Sequence, residues 1–563
     1  MTMRLAAGLL ALGMGCVCAR AEDVIPPMED KVPPVEDAIP PPVKALGAPA
    51  EMRFPGGLQI AVTTTSAEAQ KHVNQGLNHL HGGWEFEAAR HFGAAMKLDP
   101  NCLLAHWGMA MATLTPSPET SEARTAASVR MLELLDQGQG TDLERGYVYG
   151  LIKYIEGGPK EAANAFHKVA KQFPNDLQSP VFAALFGRGG YDPSGAPTPD
   201  EERAHAELEE LVKRFPDSPI PLNALLFVRA EAPDLTKDLP LARKLCRMAP
   251  EYPPYFHLLG HYEWRCGDHG EAITAFGRAA SFYQNWMKEN KVGVADCPEW
   301  IKAECYRIVA LGSKGDFDTA YAASRQLAST PVPEDRPSSP GARLLLWDAK
   351  TLPARILLNR GLTGNAAEAA ASLPSPEEIK KFHKHSLAYW WIDGLRFCLD
   401  ARKQIDNGDL DEARNVVAAL TQHGETMVKT RPQAVAGGEG SPWLRSFRAL
   451  EVLASDLRGL IAMKGPKETR DTAFNWFSSA ADRQRPEPMM FPPMVLTPMA
   501  VRLGNYHLAK GEPKEALEDF NRALATFPNE IRSLVGKQQA CEALGDTAGV
   551  EDTAARISRL RGD

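Results

Sequence analysis

Between residues 61 and 550 apolar and polar residues nowhere alternate for long enough to build a strand. The small and apolar positions instead recur as a spaced set. Gly76, Ala88, Phe92 and Pro100 stand 12, 4 and 8 residues apart, and Gly150, Ala162, Phe166 and Pro174 repeat that spacing. Gly504, Ala516, Phe520 and Pro528 repeat it again, and Gly260, Ala272, Phe276 and Ala279 form a partial copy. The pattern has a packing logic. A glycine in one helix lets the next approach closely, an alanine sits at the contact, a phenylalanine fills the gap between neighbouring hairpins, and a proline ends the second helix. Weaker copies are anchored at Ala204 to Pro216, Gly315 to Ala320, Gly408 to Ala413, and Ala473 with Phe477 and Ala480. The spacing therefore predicts an all-α solenoid of roughly ten helical hairpins.

Two stretches interrupt the repeats. PVPEDRPSSPGAR (331–343) is rich in proline and serine and reads as a linker between two arms, 59–330 and 344–563. The polar stretch 421–442 reads as an insertion, of the kind that either lines a binding face or is a surface loop. Ahead of the repeats, 22–58 begins with copies of Ile/Val-Pro-Pro followed by acidic residues. It reads as an extended spacer that cannot bury a core. Residues 1–21 read as a signal peptide: Arg4, an apolar run from Leu5 to Ala19, and Ala19-Arg20-Ala21 as the cleavage site. The run is too short to span a bilayer, which needs roughly 20 apolar residues, and no later stretch is long enough either. The mature chain is thus expected to be exported, periplasmic or secreted. Gly13-Met14-Gly15 departs from a lipobox, which places simple cleavage ahead of lipid attachment at Cys16.

With a period of about 34 residues, this pattern resembles the tetratricopeptide-repeat (TPR) family. Three stretches, NQGLNHLHGGWEFEAARHFGAAMKLDPNCLLAHWGMAMA (74–112), HLLGHYEWRCGD (257–268) and FPPMVLTPMAVRLGNYHLAKGEPKEALEDFNRALATFPNEIRSLVGKQQACEALGD (491–546), are further similar to a group of exported bacterial TPR proteins of uncharacterised function. The resemblance implies that the first helix of each hairpin lines a concave groove. In that register His257, His261, Trp264 and Arg265 fall on the groove, joined by Lys302 and Cys305 from the next repeat and by Tyr147 and Tyr154 from an earlier one. The group often carries a second histidine pair where this chain has Lys302 and Cys305.

Charge and motifs narrow the chemistry. The formal net charge of −8, on a chain of 563 residues, argues against a nucleic-acid partner, which needs a basic face. Of nine cysteines seven follow the signal segment, scattered and odd in number. No HExxH, CxxCH, phosphate-loop or GxSxG motif occurs, so no catalytic residue is assigned and no enzyme is expected. His72 and His79, where the family usually has aromatic residues, read as packed rings.

Three readings of the groove follow. It binds a protein or peptide, with Trp264 and Arg265 as anchors. Alternatively, His257 and His261, one turn apart on a helix, hold zinc or copper with Cys305 as a third ligand. Or the chain's own 421–442 segment fills it.

Overall fold

The computed structural model describes residues 32–561 apart from Pro193, Thr363 and 486–488. The signal segment and the first part of the Pro-rich stretch lie outside the described residues. From Ala67 onward helix follows helix, and the sole β feature among the described residues is an isolated bridge between Tyr191 and Pro197. Consecutive helices pair as antiparallel hairpins, among them Ala67–Gly82 with Glu85–Leu98, Asp142–Gly157 with Pro159–Gln172, Pro253–Arg265 with His269–Asn290, and Ala500–Lys510 with Pro513–Thr526. This is a TPR-type α-solenoid.

The sequence spacing has its cause in one recurring contact. A methyl group added at Gly76 would lie 2.8 Å from the Phe92 ring, one at Gly260 2.7 Å from Phe276, and one at Gly504 2.6 Å from Phe520. Gly108 and Gly536, in the following hairpins, press on the same Phe92 and Phe520 rings. The rings of Phe92 and Phe520 therefore each meet two glycines, and the alanines Ala88, Ala162, Ala272 and Ala516 are wholly buried. The helix ends follow local chemistry. Ser66 and Thr141 cap helix starts with their hydroxyls, and Thr141 forms a reciprocal capping box with Glu144.

Two boundaries read from composition look different in three dimensions. The described part of the Pro-rich stretch, from Val32 on, docks on the first hairpins, burying Ala38, Ile39, Val43 and Leu58. Prolines already restrict the unfolded chain, so a few apolar residues suffice to hold it. The 331–343 segment is irregular as far as Ser339, which caps the helix Pro340–Trp347. A single buried core continues past it, from Trp264 to Met494, so the two arms share their packing. The C-terminal hairpins also fold back on the middle of the chain: Asn529 Nδ2 donates to the carbonyl of Gly267 at 3.1 Å, and Phe527 packs on Trp264. The 421–442 stretch is mostly helix, within Leu410–Val428 and Arg431–Ala436.

Candidate functional site: a sealed concave face and the cavity beside it

The residues expected on the groove come together, but as interior. His257, His261, Trp264 and Arg265 lie on the helix Pro253–Arg265, and all are buried. The rings of His257, His261 and Trp264 surround Tyr306, with centroids 5.5, 5.9 and 5.8 Å from it. Much of their hydrogen bonding is internal, although His261 Nδ1 and Arg265 Nε are buried without a hydrogen-bond partner. His257 Nε2 meets the carbonyl of Met489 at 3.1 Å, and His261 Nε2 meets that of Ala230 at 2.9 Å. Arg265 donates to the carbonyls of Ala230 and Ala232, and Trp264 Nε1 donates to Ser313 Oγ at 3.2 Å. Burial holds His257 down at about 4 and His261 at about 3, so both imidazoles are neutral at pH 7.

Tyr147 is also buried; its hydroxyl donates to Asp176 at 2.6 Å. Tyr154 is half-buried, its ring tilted on Phe186 at 5.3 Å, apart from the His257 cluster. Lys302 lines a larger cavity than the small one beside Trp264 and Arg265. It lies 3.8 Å from Glu299 and 5.5 Å above the ring of Phe491.

The material covering the face comes from the chain itself, from Met489–Thr497 and not from 421–442. Tyr306 Oη donates to the carbonyl of Phe491 at 2.6 Å, and Arg355 Nη1 to that of Pro493 at 2.7 Å; Arg445 donates to the carbonyl of Pro492. Asp348, wholly buried, lies 3.5 Å from Arg355 and 3.7 Å from Arg445 and balances the two guanidiniums. Proline suits this strap because it has a carbonyl to offer and no N–H to leave unpaired. Repeat register puts His257, His261, Trp264 and Arg265 on an open ligand groove, whereas all four are buried. It could not show that a distant Phe-Pro-Pro segment covers them.

The zinc or copper site expected of His257, His261 and Cys305 does not assemble. The two Nε2 atoms face carbonyls of different segments, and these three residues do not bring their ligating atoms within 4.8 Å of one another. Cys305 is wholly buried, with Asp348 and Arg355 the leading charges on its thiol after burial itself. All seven cysteines from Cys102 to Cys541 are free thiols.

Beside the strap lies a cavity of about 250 Å³. Its walls come from segments far apart in sequence: Pro40 and Pro42, Glu85 and Phe86, Pro116, Lys302, Trp347, Gly438 and Phe491. The linker residue Arg336 spans one wall, paired with Asp296 at 2.5 and 2.7 Å and with Glu119. Glu439, from the polar insertion, is buried behind it. It accepts hydrogen bonds from Trp347 Nε1 at 2.7 Å, from Ser386 Oγ and from the Leu387 N–H. Glu85 is exposed to the cavity; loss of bulk solvent pushes its carboxyl up to about 7, against the pull of Lys302. Sequence reasoning missed this cavity because no single helix carries it.

No family model matches this chain, and no curated protein matches it. Solved structures do. The TPR domain of P58(IPK) is 15% identical over 85% of this chain and 99% of that one, with a TM-score of 0.20. The human IFIT1 dimer with m7Gppp-AAAA is 12% identical over 89% and 92%, with a TM-score of 0.32. Yeast Tom70 is 10% identical over 86% and 90%, with a TM-score of 0.25. The chain has the fold of a TPR-type α-solenoid, defined by its own hairpins and the glycine-clamped phenylalanine rings between them.

Proposed function

We propose that this chain is an exported, non-enzymatic interaction scaffold that anchors a segment of a partner protein in the cavity lined by Phe86, Lys302, Trp347 and Phe491. The observation that carries this reading is the contrast between two concave surfaces: one is closed by the chain's own strap, and the other is open. The cavity's size supports side-chain anchoring. It is smaller than the ~300–1,000 Å³ of pockets that enclose a whole small molecule. Its rings and prolines offer apolar contact, while Lys302 and Glu85 offer polar contacts of both signs. Aromatic side chains of this kind carry much of the affinity at protein interfaces. No helix among the described residues is long and apolar enough to cross a membrane.

Export rests on Arg4, Leu5–Ala19 and Ala19-Arg20-Ala21, which places the partner outside the cytoplasm too. The test is affinity capture of envelope proteins on the mature chain, compared with its Phe86→Ala and Lys302→Glu variants. A partner retained by the native chain and reduced at least tenfold by both variants is the expected result. A partner retained equally by all three would move the binding surface elsewhere.

A further inference from the structure

Among the described residues a single group of three or more histidine, cysteine or carboxylate side chains brings its ligating atoms within 4.8 Å of one another: His79, Glu87 and His91, all buried. His79 comes from the helix Ala67–Gly82, and Glu87 and His91, four residues apart, share one face of Glu85–Leu98. The two imidazoles are stacked, with centroids 5.2 Å apart and 18° between their planes. Their Nε2 atoms are both buried and meet no hydrogen-bonding partner. Their Nδ1 atoms are both engaged: that of His79 lies 3.4 Å from the hydroxyl of Tyr252, and that of His91 lies 3.0 Å from Nδ1 of His72.

We propose that His79 Nε2, His91 Nε2 and the Glu87 carboxylate form a binding site for a divalent transition-metal ion of the zinc class. The division of labour within each ring is the one a ligating histidine needs. One nitrogen is tied to a side chain that fixes the ring's orientation and tautomer, and the other is bare. Two imidazoles and a carboxylate form a known zinc donor set that leaves a fourth position open. Tetrahedral bonds of 2.0–2.1 Å place neighbouring donors roughly 3.3 Å apart, inside the 4.8 Å that bounds the separations here. Arg90, 2.7 Å from Glu87, opposes a cation, and the Glu87 charge offsets it.

A neighbouring cavity reaches His72, whose Nδ1 lies 3.0 Å from that of His91. His72 is half-buried and, with Arg90, lines a separate cavity of about 390 Å³ that opens beneath the Pro-rich segment at Val43 and Gly47. This site is independent of what the other cavity binds.

The test uses the whole mature chain, stripped with a chelator and titrated calorimetrically with zinc alone. About one equivalent should bind, and His79→Gln combined with His91→Gln should weaken it at least 100-fold while His257→Gln leaves it unchanged. Tyr252→Phe, which keeps the ring and removes the hydroxyl, should weaken binding about 10–100-fold, the usual cost of losing a partner behind a ligand. X-ray absorption of the zinc-loaded native protein needs no variant to fold. It should show nitrogen and oxygen donors at about 2.0–2.1 Å, two of them imidazoles, and no sulfur at about 2.3 Å. No binding by the folded, stripped protein would overturn the proposal, as would a sulfur shell or equal affinity in a folded double variant. The cluster would then be a packed histidine core.

Discussion

At the scale of single residues the fold is governed by close approach and by buried nitrogen. Gly504 faces the Phe520 ring at a distance that excludes even a methyl group. Gly504→Ala should therefore destabilise the chain by about 1–3 kcal/mol through overpacking, read as a lowered denaturant midpoint. An unchanged midpoint would mean that the ring is not clamped. The histidines give a second expectation. His257 and His261 ionise near 6.5 when unfolded but near 4 and 3 when folded. Below about pH 6.5 the unfolded chain thus binds more protons, and stability falls as pH drops, by up to about 1.4 kcal/mol per pH unit for each group. His261→Gln should flatten the loss of thermal stability between pH 7 and pH 5; parallel curves for variant and native protein would contradict the assignment. The Gly, Ala and Phe positions were legible in the sequence because the same contact is built repeatedly from local spacing. The ring nitrogens' partners were not, because the carbonyls of Ala230 and Met489 reach His261 and His257 from 31 and 232 residues away in folds of chain that no helical register describes. His91 was overlooked for a similar reason: its place beside His79 depends on how two helices meet.

At the scale of elements the informative feature is the strap Met489–Thr497. Repeat register placed His257, His261, Trp264 and Arg265 on one face, and they do share it. What covers the face depends on the arginines Arg355 and Arg445 presenting donors to the carbonyls of Pro493 and Pro492. Replacing Phe491, Pro492, Pro493 and Met494 with glycine and serine should uncover that face. Hydrogen exchange should then accelerate in Pro253–Arg265 and Pro298–Lys314 while the Ala500–Lys510 hairpin remains protected. Unchanged exchange in the first two helices would show that the strap adds nothing to their stability. The Pro-rich N-terminal stretch teaches a related lesson. Its composition suggested a solvated spacer, yet Ile39 and Val43 are buried, because the first hairpins offer an apolar surface for them. Composition reports what a segment can bury by itself and says nothing of surfaces offered elsewhere.

At the scale of the whole molecule the chain bends until distant repeats meet. Gly267 meets Asn529, the 331–343 linker meets Glu119, and the first hairpin meets Asn290 and Tyr252. The linker contact with Glu119 helps frame the cavity at Lys302, and that cavity is the reason for reading the protein as a scaffold. Export belongs to this scale as well. The mature protein is expected to begin at or near Glu22, and N-terminal sequencing of native material decides it; a retained Met1 would refute cleavage. The central claim is that the partner is held at the cavity rather than on the strap-covered face. Its most direct test is a photo-crosslinking residue placed at Phe86, compared with one placed at the exposed position Trp476. The account predicts a discrete crosslinked envelope protein from position 86 and none from position 476, whereas capture at 476 with none at 86 would contradict it.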